Sequence, residues 1–108
     1  MPKILYTVRA TVPTSQLQSR FLSWLVPDHI AAVKAVGAEA VRVILPDPAT
    51  DSTNTTIETQ YTFPSREILD CYLQIQAPAL RADLLKHFPL ETGVRFERQV
   101  SKITYEIA

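Results

Sequence analysis

His29 is the side chain of this sequence best suited to proton transfer. It follows Pro27, whose ring interrupts a helix, and it lies beside the apolar positions Ala32 and Val33. A histidine placed there would be directed into a pocket as a general acid or base, because its reference pKa of about 6.5 lies near neutral pH. The alternative is a structural histidine at a helix end, hydrogen-bonded to backbone or to a carboxylate, since the spacing specifies no catalytic partner.

A set of aromatic side chains is suited to binding a flat ligand. The candidates are Tyr6, Trp24 and Tyr61, with Tyr72 on a later helix. Residues at such alternating or helical spacing also form ordinary core, and both interpretations stay open. Buried hydroxyl and indole groups need hydrogen-bond partners in either case, which would leave a polar corner among them.

Arg9 and Arg42 are the candidates for binding an anion. Their guanidinium groups can clamp a carboxylate or a phosphate with paired hydrogen bonds. The alternative is pairing with Glu58 and Glu97 on the same sheet face, and we favour it. Arg81 is expected at the surface or at an interface.

Charge and motif content exclude several classes of protein. The 11 Lys and Arg residues balance 11 Asp and Glu residues, whereas nucleic-acid-binding proteins usually need a basic face. The chain has only two glycines, no phosphate-binding loop and no CxxC or HExxH pattern,. Cys71, the single cysteine, excludes an intrachain disulfide and is expected as a buried thiol without a catalytic role. We therefore expect no metal site, no cofactor and no nucleic-acid partner.

Length and hydropathy predict one domain spanning residues 1–108,. No segment reaches the roughly 18 apolar residues of a membrane span. No apolar run of the signal-peptide kind follows Met1. We expect a cytoplasmic protein without a membrane partner.

Two residue periodicities predict the elements that position these side chains. Alternation predicts four strands, at Ile4–Val12, Ala38–Leu45, Thr55–Phe63 and Val94–Val100. Spacing of three and four predicts two helices between them, the first interrupted at Pro27 and the second kinked at Pro78. A loop is predicted at Pro46–Asn54, and the alternating run Ile103–Ile107 is either a strand extension or an arm.

The order strand, helix, strand, strand, helix, strand predicts a ferredoxin-like α+β fold, βαββαβ, with two helices on one face of a four-stranded antiparallel sheet. The helix-side face carries mainly apolar residues: Tyr6, Val8, Val41, Val43, Ile57, Tyr61, Phe63, Val94 and Phe96. The open face is more polar: Leu5, Thr7, Arg9, Arg42, Ile44, Glu58, Gln60, Arg95, Glu97 and Gln99. Such a face is either exposed to solvent or covered by a second copy of the chain. The apolar run Ile103–Ile107 favours the homodimer.

Three segments resemble the dimeric α/β-barrel superfamily: Ile4–Val8, Trp24 with His29 and Ile30, and Tyr72 followed by Ala77–Arg81. Within that superfamily the chain is similar to small bacterial proteins of unknown function. The resemblance implies two protomers whose sheets face each other, with a ligand pocket between sheet and helices in some members. Its members include cofactor-independent monooxygenases, isomerases, haem-binding proteins and proteins without known chemistry. The fold therefore does not identify a reaction.

These observations lead to one hypothesis and two alternatives. The hypothesis is a homodimeric α/β-barrel protein that binds a small organic ligand in a cleft near Tyr6, Trp24 and His29. The first alternative is a cofactor-independent monooxygenase-like or isomerase-like enzyme with His29 as the acid or base. The second is a structural or protein-interaction module.

Overall fold

Four strands and four α-helices follow one another along the chain in the computed structural model, which describes residues 2–47 and 54–107. They are β1 (Ile4–Val12), α1 (Ser15–Trp24), α2 (Ile30–Ala35), β2 (Ala40–Ile44), β3 (Thr55–Phe63), α3 (Arg66–Cys71), α4 (Ala77–His87) and β4 (Arg95–Lys102). A kinked segment, Leu25–His29, joins α1 to α2, and a wide π-helical turn, Tyr72–Gln76, joins α3 to α4. We call residues 15–35 the first helical arm and residues 66–87 the second. Most of the predicted loop Pro46–Asn54 lies outside the described residues.

The four strands form one antiparallel sheet in the order β2-β3-β1-β4. In the centre, Tyr6 of β1 lies opposite Tyr61 of β3, and Val8 lies opposite Arg98 of β4. The side chains of β3 alternate between buried and more exposed along its whole length, as expected when one face packs against helices and the other does not. The predicted α+β, ferredoxin-like arrangement is confirmed.

Two of the four strands, β2 and β4, differ from their predicted bounds at both ends. β2 begins at Ala40 rather than Ala38, because the Ala38 amide donates to Val33 O at 3.4 Å and so belongs to the end of the first arm. β4 runs to Lys102, which lies opposite Ile4 of β1. Beyond it the Ile103 amide donates to Lys3 O at 3.0 Å, and the remaining described residues are not a strand.

Both helical arms are irregular beside a proline. The predicted interruption at Pro27 is confirmed: Val26 is extended, with φ −115° and ψ 126°, the conformation favoured before proline, and its bond to Pro27 is cis. The second arm differs from the prediction. Pro78 lies in the first turn of α4, where a proline is tolerated, and the irregularity falls on the preceding turn. There the Ala77 amide bonds to Tyr72 O, one residue further back than in an α-helix,.

The core between sheet and arms consists of two clusters of buried side chains. The Tyr6 cluster comprises Ile4, Tyr6, Val33, Ala38, Tyr61, Phe63, Leu69, Tyr72 and Ala77. The Phe21 cluster comprises Ala10, Val12, Phe21, Leu25, Ile57, Leu84, Phe88 and Val94. Each cluster combines residues of the helix-side face with residues of both arms. The seam between them is where the candidate site lies.

Candidate functional site

A cavity of about 40 Å³ lies at the seam between the two clusters. Its walls come from three strands and both arms: Tyr6, Val8, Phe21, Trp24, Leu25, His29, Thr59, Tyr61, Tyr72, Leu80, Arg81, Leu84, Phe96 and Arg98. Four of the predicted site residues, namely Tyr6, Trp24, His29 and Tyr61, are therefore brought together. The alternation of β1 and β3 aims the two tyrosines inward, and the kink after Trp24 places His29 beside it.

Three tyrosines form the polar corner of the cavity. The ring of Tyr6 lies 6.1 Å from that of Tyr61 and 6.2 Å from that of Tyr72, measured between centroids. Arg81 of α4 donates from Nη2 to the Tyr6 hydroxyl at 3.2 Å. Burial raises the pKa of Tyr72 to about 12 and raises the pKa of Tyr61 as well, because a phenolate is poorly solvated there. These hydroxyls are neutral at physiological pH and can donate hydrogen bonds.

The opposite wall is formed by Trp24 and His29. Their rings are stacked with centroids 4.2 Å apart, and the Trp24 indole N–H donates to Asp83 Oδ2 at 3.3 Å. Burial lowers the pKa of His29, and the charge of Asp83 opposes that shift. The imidazole is therefore neutral at pH 7 and able to accept a proton.

A groove of about 320 Å³ adjoins the cavity on this side. The two share Trp24, His29 and Leu80 as walls, and the groove adds Ser23, Asp28, Ala32, Asp83 and His87. Within residues 2–47 and 54–107 no group of three or more His, Cys, Asp and Glu side chains is arranged to hold a metal ion. Cys71 is exposed, contrary to the expectation of a buried thiol.

Arg9 and Arg42 lie on the open face, on the far side of the sheet from the cavity. Arg9 donates from Nε to Glu58 Oε1 at 2.9 Å and from Nη1 to Gln99 Oε1 at 3.0 Å. Gln60 donates to the second oxygen of Glu58 at 2.6 Å and accepts from Arg42. The result is a chain of hydrogen bonds across all four strands, which we call the open-face network. Arg9 thus takes the pairing with Glu58 that we favoured, whereas Arg42 bonds to an amide.

Sequence reasoning missed two cationic residues of the cavity. Arg81 is exposed, as expected of a surface residue, and it also lines the cavity, one turn beyond Ala77 on α4. Arg98 lies in register with the apolar face of β4, between Phe96 and Val100. A charged residue at an apolar register position is the sequence signal that points to Arg98.

The fold defines a ferredoxin-like α+β domain with a cavity between its sheet and its helices. The chain belongs to the DUF4286 family, described as a domain of unknown function, which matches residues 3–103. No curated protein matches it in sequence. None of the helices in the described part of the chain is long and apolar enough to cross a membrane.

Solved structures share the fold at low sequence identity. A dimeric ferredoxin-like protein from an uncultured marine organism has a TM-score of 0.68 at 12% identity, over 99% of this chain and 100% of that one. A second dimeric ferredoxin-like protein from an uncultured marine organism has a TM-score of 0.68 at 14% identity, over 97% and 98%. SnoaB, a cofactor-independent oxygenase from Streptomyces nogalater, has a TM-score of 0.56 at 11% identity, over 100% and 97%.

Proposed function

We propose that this protein binds a small organic ligand between its sheet and its helical arms. The observation that carries the proposal is the cavity at the seam of the core, where aromatic walls surround tyrosine hydroxyls, a guanidinium and a neutral imidazole. Ligand sites combine largely apolar walls with a few polar groups in this way. The cavity itself is small, about 40 Å³, and the adjoining groove of about 320 Å³ provides room for the rest of a small molecule.

Trp24 provides a direct test, because it is the only tryptophan of the chain and lines the cavity. Its fluorescence is followed during titration with single-ring probes of each charge type: benzoate, benzamide, benzyl alcohol and benzylammonium. We expect at least one probe to change the emission saturably and to raise the melting temperature. A chain that responds to none of them is not a small-molecule-binding protein of this kind.

A cavity-filling variant locates the binding. Val8→Phe introduces a ring from β1 into the cavity and should abolish the response. Ile75→Phe is the matched control, since Ile75 lies on the second arm with 66% of its surface exposed and outside the cavity. Equal responses from both variants would place the probe elsewhere and contradict the proposal.

We infer further that the protein works as a homodimer joined through the open face. The open-face network carries both charge signs, which makes the face complementary to its own copy. Ile44 beside it is 40% exposed, and Tyr105 and Ile107 of the C-terminal segment are 81% and 78% exposed. Residues of that segment and of the open face enclose a hollow of about 360 Å³. Two fold neighbours described as dimeric support a homodimer.

Light scattering during size-exclusion chromatography tests the dimer. The wild-type chain of 12.1 kDa should elute at twice that mass, and Ile44→Glu should elute as a monomer, because the new carboxylate would be desolvated at the interface. Ile75→Glu places the same charge on the helical side and should remain dimeric. A monomeric wild-type chain at high concentration overturns the homodimer.

An enzyme that uses His29 as a proton carrier is the second candidate function. The neutral imidazole lines the cavity, and a fold neighbour is described as a cofactor-independent oxygenase. His29→Ala, followed by melting temperature and by turnover of electron-rich phenols under oxygen, tests it. Retained stability with lost turnover supports the enzyme. Lost stability with no probe bound and no turnover supports the structural or interaction module.

A further inference from the structure

Two guanidinium groups flank the cavity from opposite layers of the fold. Arg81 projects from α4 and bonds to the Tyr6 hydroxyl at 3.2 Å. Arg98 projects from β4, and its guanidinium lies 5.8 Å from the centroid of the Phe96 ring, which is itself part of the cavity wall. Stacking on a ring fixes the position of a guanidinium without using its N–H donors.

No carboxylate neutralises this pair. The residues that line the cavity include neither Asp nor Glu. Among the described residues the ion pairs of arginine join Arg9 to Glu58 and Arg66 to Asp70, and none involves Arg81 or Arg98. Arg81 and Arg98, both exposed at the edge of the cavity, therefore have no ion-pair partner among the described residues and are available to an anionic ligand.

The charges of Arg81 and Arg98 act on the tyrosine corner of the cavity. Burial raises the pKa of Tyr72, and the charges of Arg81 and Arg98 act in the opposite direction, since they stabilise negative charge at the phenol oxygen,. The hydroxyls of Tyr61 and Tyr72 remain protonated. They are donors beside two cations, which is the environment that an anionic oxygen requires.

The size of the cavity selects among anions. The cavity, at about 40 Å³, is large enough to hold solvent or a small polar group, and a carboxylate is such a group. The walls beyond the tyrosine corner are apolar or aromatic, with Phe21, Leu80 and Leu84 among them. The adjoining groove carries Asp28 and Asp83, which repel a second negative charge. The chemistry that fits is one carboxylate on an apolar body that extends towards Trp24.

We propose that the cavity binds the carboxylate of a small organic acid, held by Arg81 and Arg98 together with the hydroxyl of Tyr6. This inference rests on the proposed ligand-binding function and names the class of its ligand. Arg9 and Arg42, the arginines singled out by sequence alone, have no part in it because they lie on the other face of the sheet.

The test compares benzoate with benzamide, which has nearly the same shape and no charge. Both are titrated against the Trp24 fluorescence of the wild-type protein and of three variants. Arg81→Met and Arg98→Met each remove one cation and keep most of the side-chain volume. Arg95→Met is the control, since Arg95 belongs to the same strand as Arg98 but points to the open face.

We expect benzoate to bind at least about tenfold more tightly than benzamide, the ratio expected for a hydrogen bond to a charged group. Each of Arg81→Met and Arg98→Met should remove about tenfold of the benzoate affinity and leave benzamide unchanged, whereas Arg95→Met should change neither. Circular dichroism of each variant checks that a lost signal is not lost folding. A variant that fails to fold is replaced by Arg81→Gln or Arg98→Gln, for which the same loss is expected.

Other outcomes separate this inference from the function on which it rests. Equal affinities for the two probes, or tighter binding of benzamide, contradict the inference that the cavity binds a carboxylate. The proposal of small-molecule binding would still stand. Inorganic phosphate is added as a competitor of benzoate. If it competes at the same concentration as benzoate, the site does not prefer a carboxylate on an apolar body, and the inference is wrong. Failure of every probe, neutral ones included, overturns the proposed function itself.

Discussion

The imidazole of His29 stacks on the indole of Trp24, with ring centroids 4.2 Å apart, although the break at Val26 and Pro27 lies between the two residues. Burial in this contact disfavours the imidazolium, so the pKa of His29 is lower in the folded chain than its ordinary value of 6.5. The stacked pair forms one wall of the cavity. It also links the stability of the fold to pH.

The first prediction concerns that linkage. The unfolded chain binds a proton on His29 more readily than the folded chain, so the stability contributed by the neutral ring is complete above pH 6.5 and is lost as pH falls through the folded pKa,. His29→Phe keeps an aromatic ring and removes the titration. Urea unfolding between pH 5 and pH 8 should show a smaller loss of stability for the variant than for the wild type over roughly this interval. Identical pH profiles would show that the folded environment does not disfavour the charged ring.

The second prediction tests the core with two residues of the second arm. Leu69 is fully buried in the Tyr6 cluster, whereas Ile75 is 66% exposed. Leu69→Ala should lower the free energy of unfolding by about 2–5 kcal/mol, because it removes buried surface and leaves a void. Ile75→Ala should change it by less than about 0.5 kcal/mol. Chemical denaturation measures both, and similar losses would mean that the arm does not pack on the sheet as described.

The third prediction concerns Gly37, which joins the first arm to β2 with φ +139°. An added Cβ would lie 2.7 Å from Ile68 Cγ2, in a backbone conformation that L side chains rarely adopt. Gly37→Ala should cost at least about 1–3 kcal/mol of stability. Ile68→Ala should reduce that cost in a double-mutant cycle, since it removes the clashing methyl. A strictly additive pair would contradict the close approach.

The fourth prediction compares two ion pairs that have the same N–O distance of 2.9 Å. Arg66 and Asp70 are both 56% exposed and four residues apart in α3, and their coupling energy should be about 0.3–0.5 kcal/mol,. Glu58 is 23% exposed and belongs to the open-face network, so its coupling to Arg9 should be larger, about 1 kcal/mol. Double-mutant cycles in urea measure both energies. The reverse ranking would show that the network adds nothing to the pair.

Local patterns were enough to predict the strands of the sheet. Ile4–Val12 and Thr55–Phe63 have the predicted bounds, because alternation of side chains is a local property of a half-buried strand. The bounds of β2 and β4 moved by one or two residues, since they depend on partners such as Val33 and Ile4 that are distant in sequence. Which face packs against the arms followed from the same alternation.

The candidate site was only partly predictable. Tyr6, Trp24, Tyr61 and His29 share the cavity as expected, but Arg9 and Arg42 do not, because their register positions put them on the open face. Arg81 reaches Tyr6 over a sequence separation of 75 residues. Such a contact depends on how an arm crosses the sheet, and residue spacing carries no information about that crossing.

The strand order has a consequence for the behaviour of concentrated solutions. The two outer strands, β2 and β4, leave backbone groups without a neighbour in the sheet. β2 has only five residues, and β4 carries charges at Arg95, Glu97, Arg98 and Lys102. Short strands and charged side chains oppose the sideways addition of further strands. Growth into amyloid-like fibres by strand addition at these edge strands is therefore disfavoured.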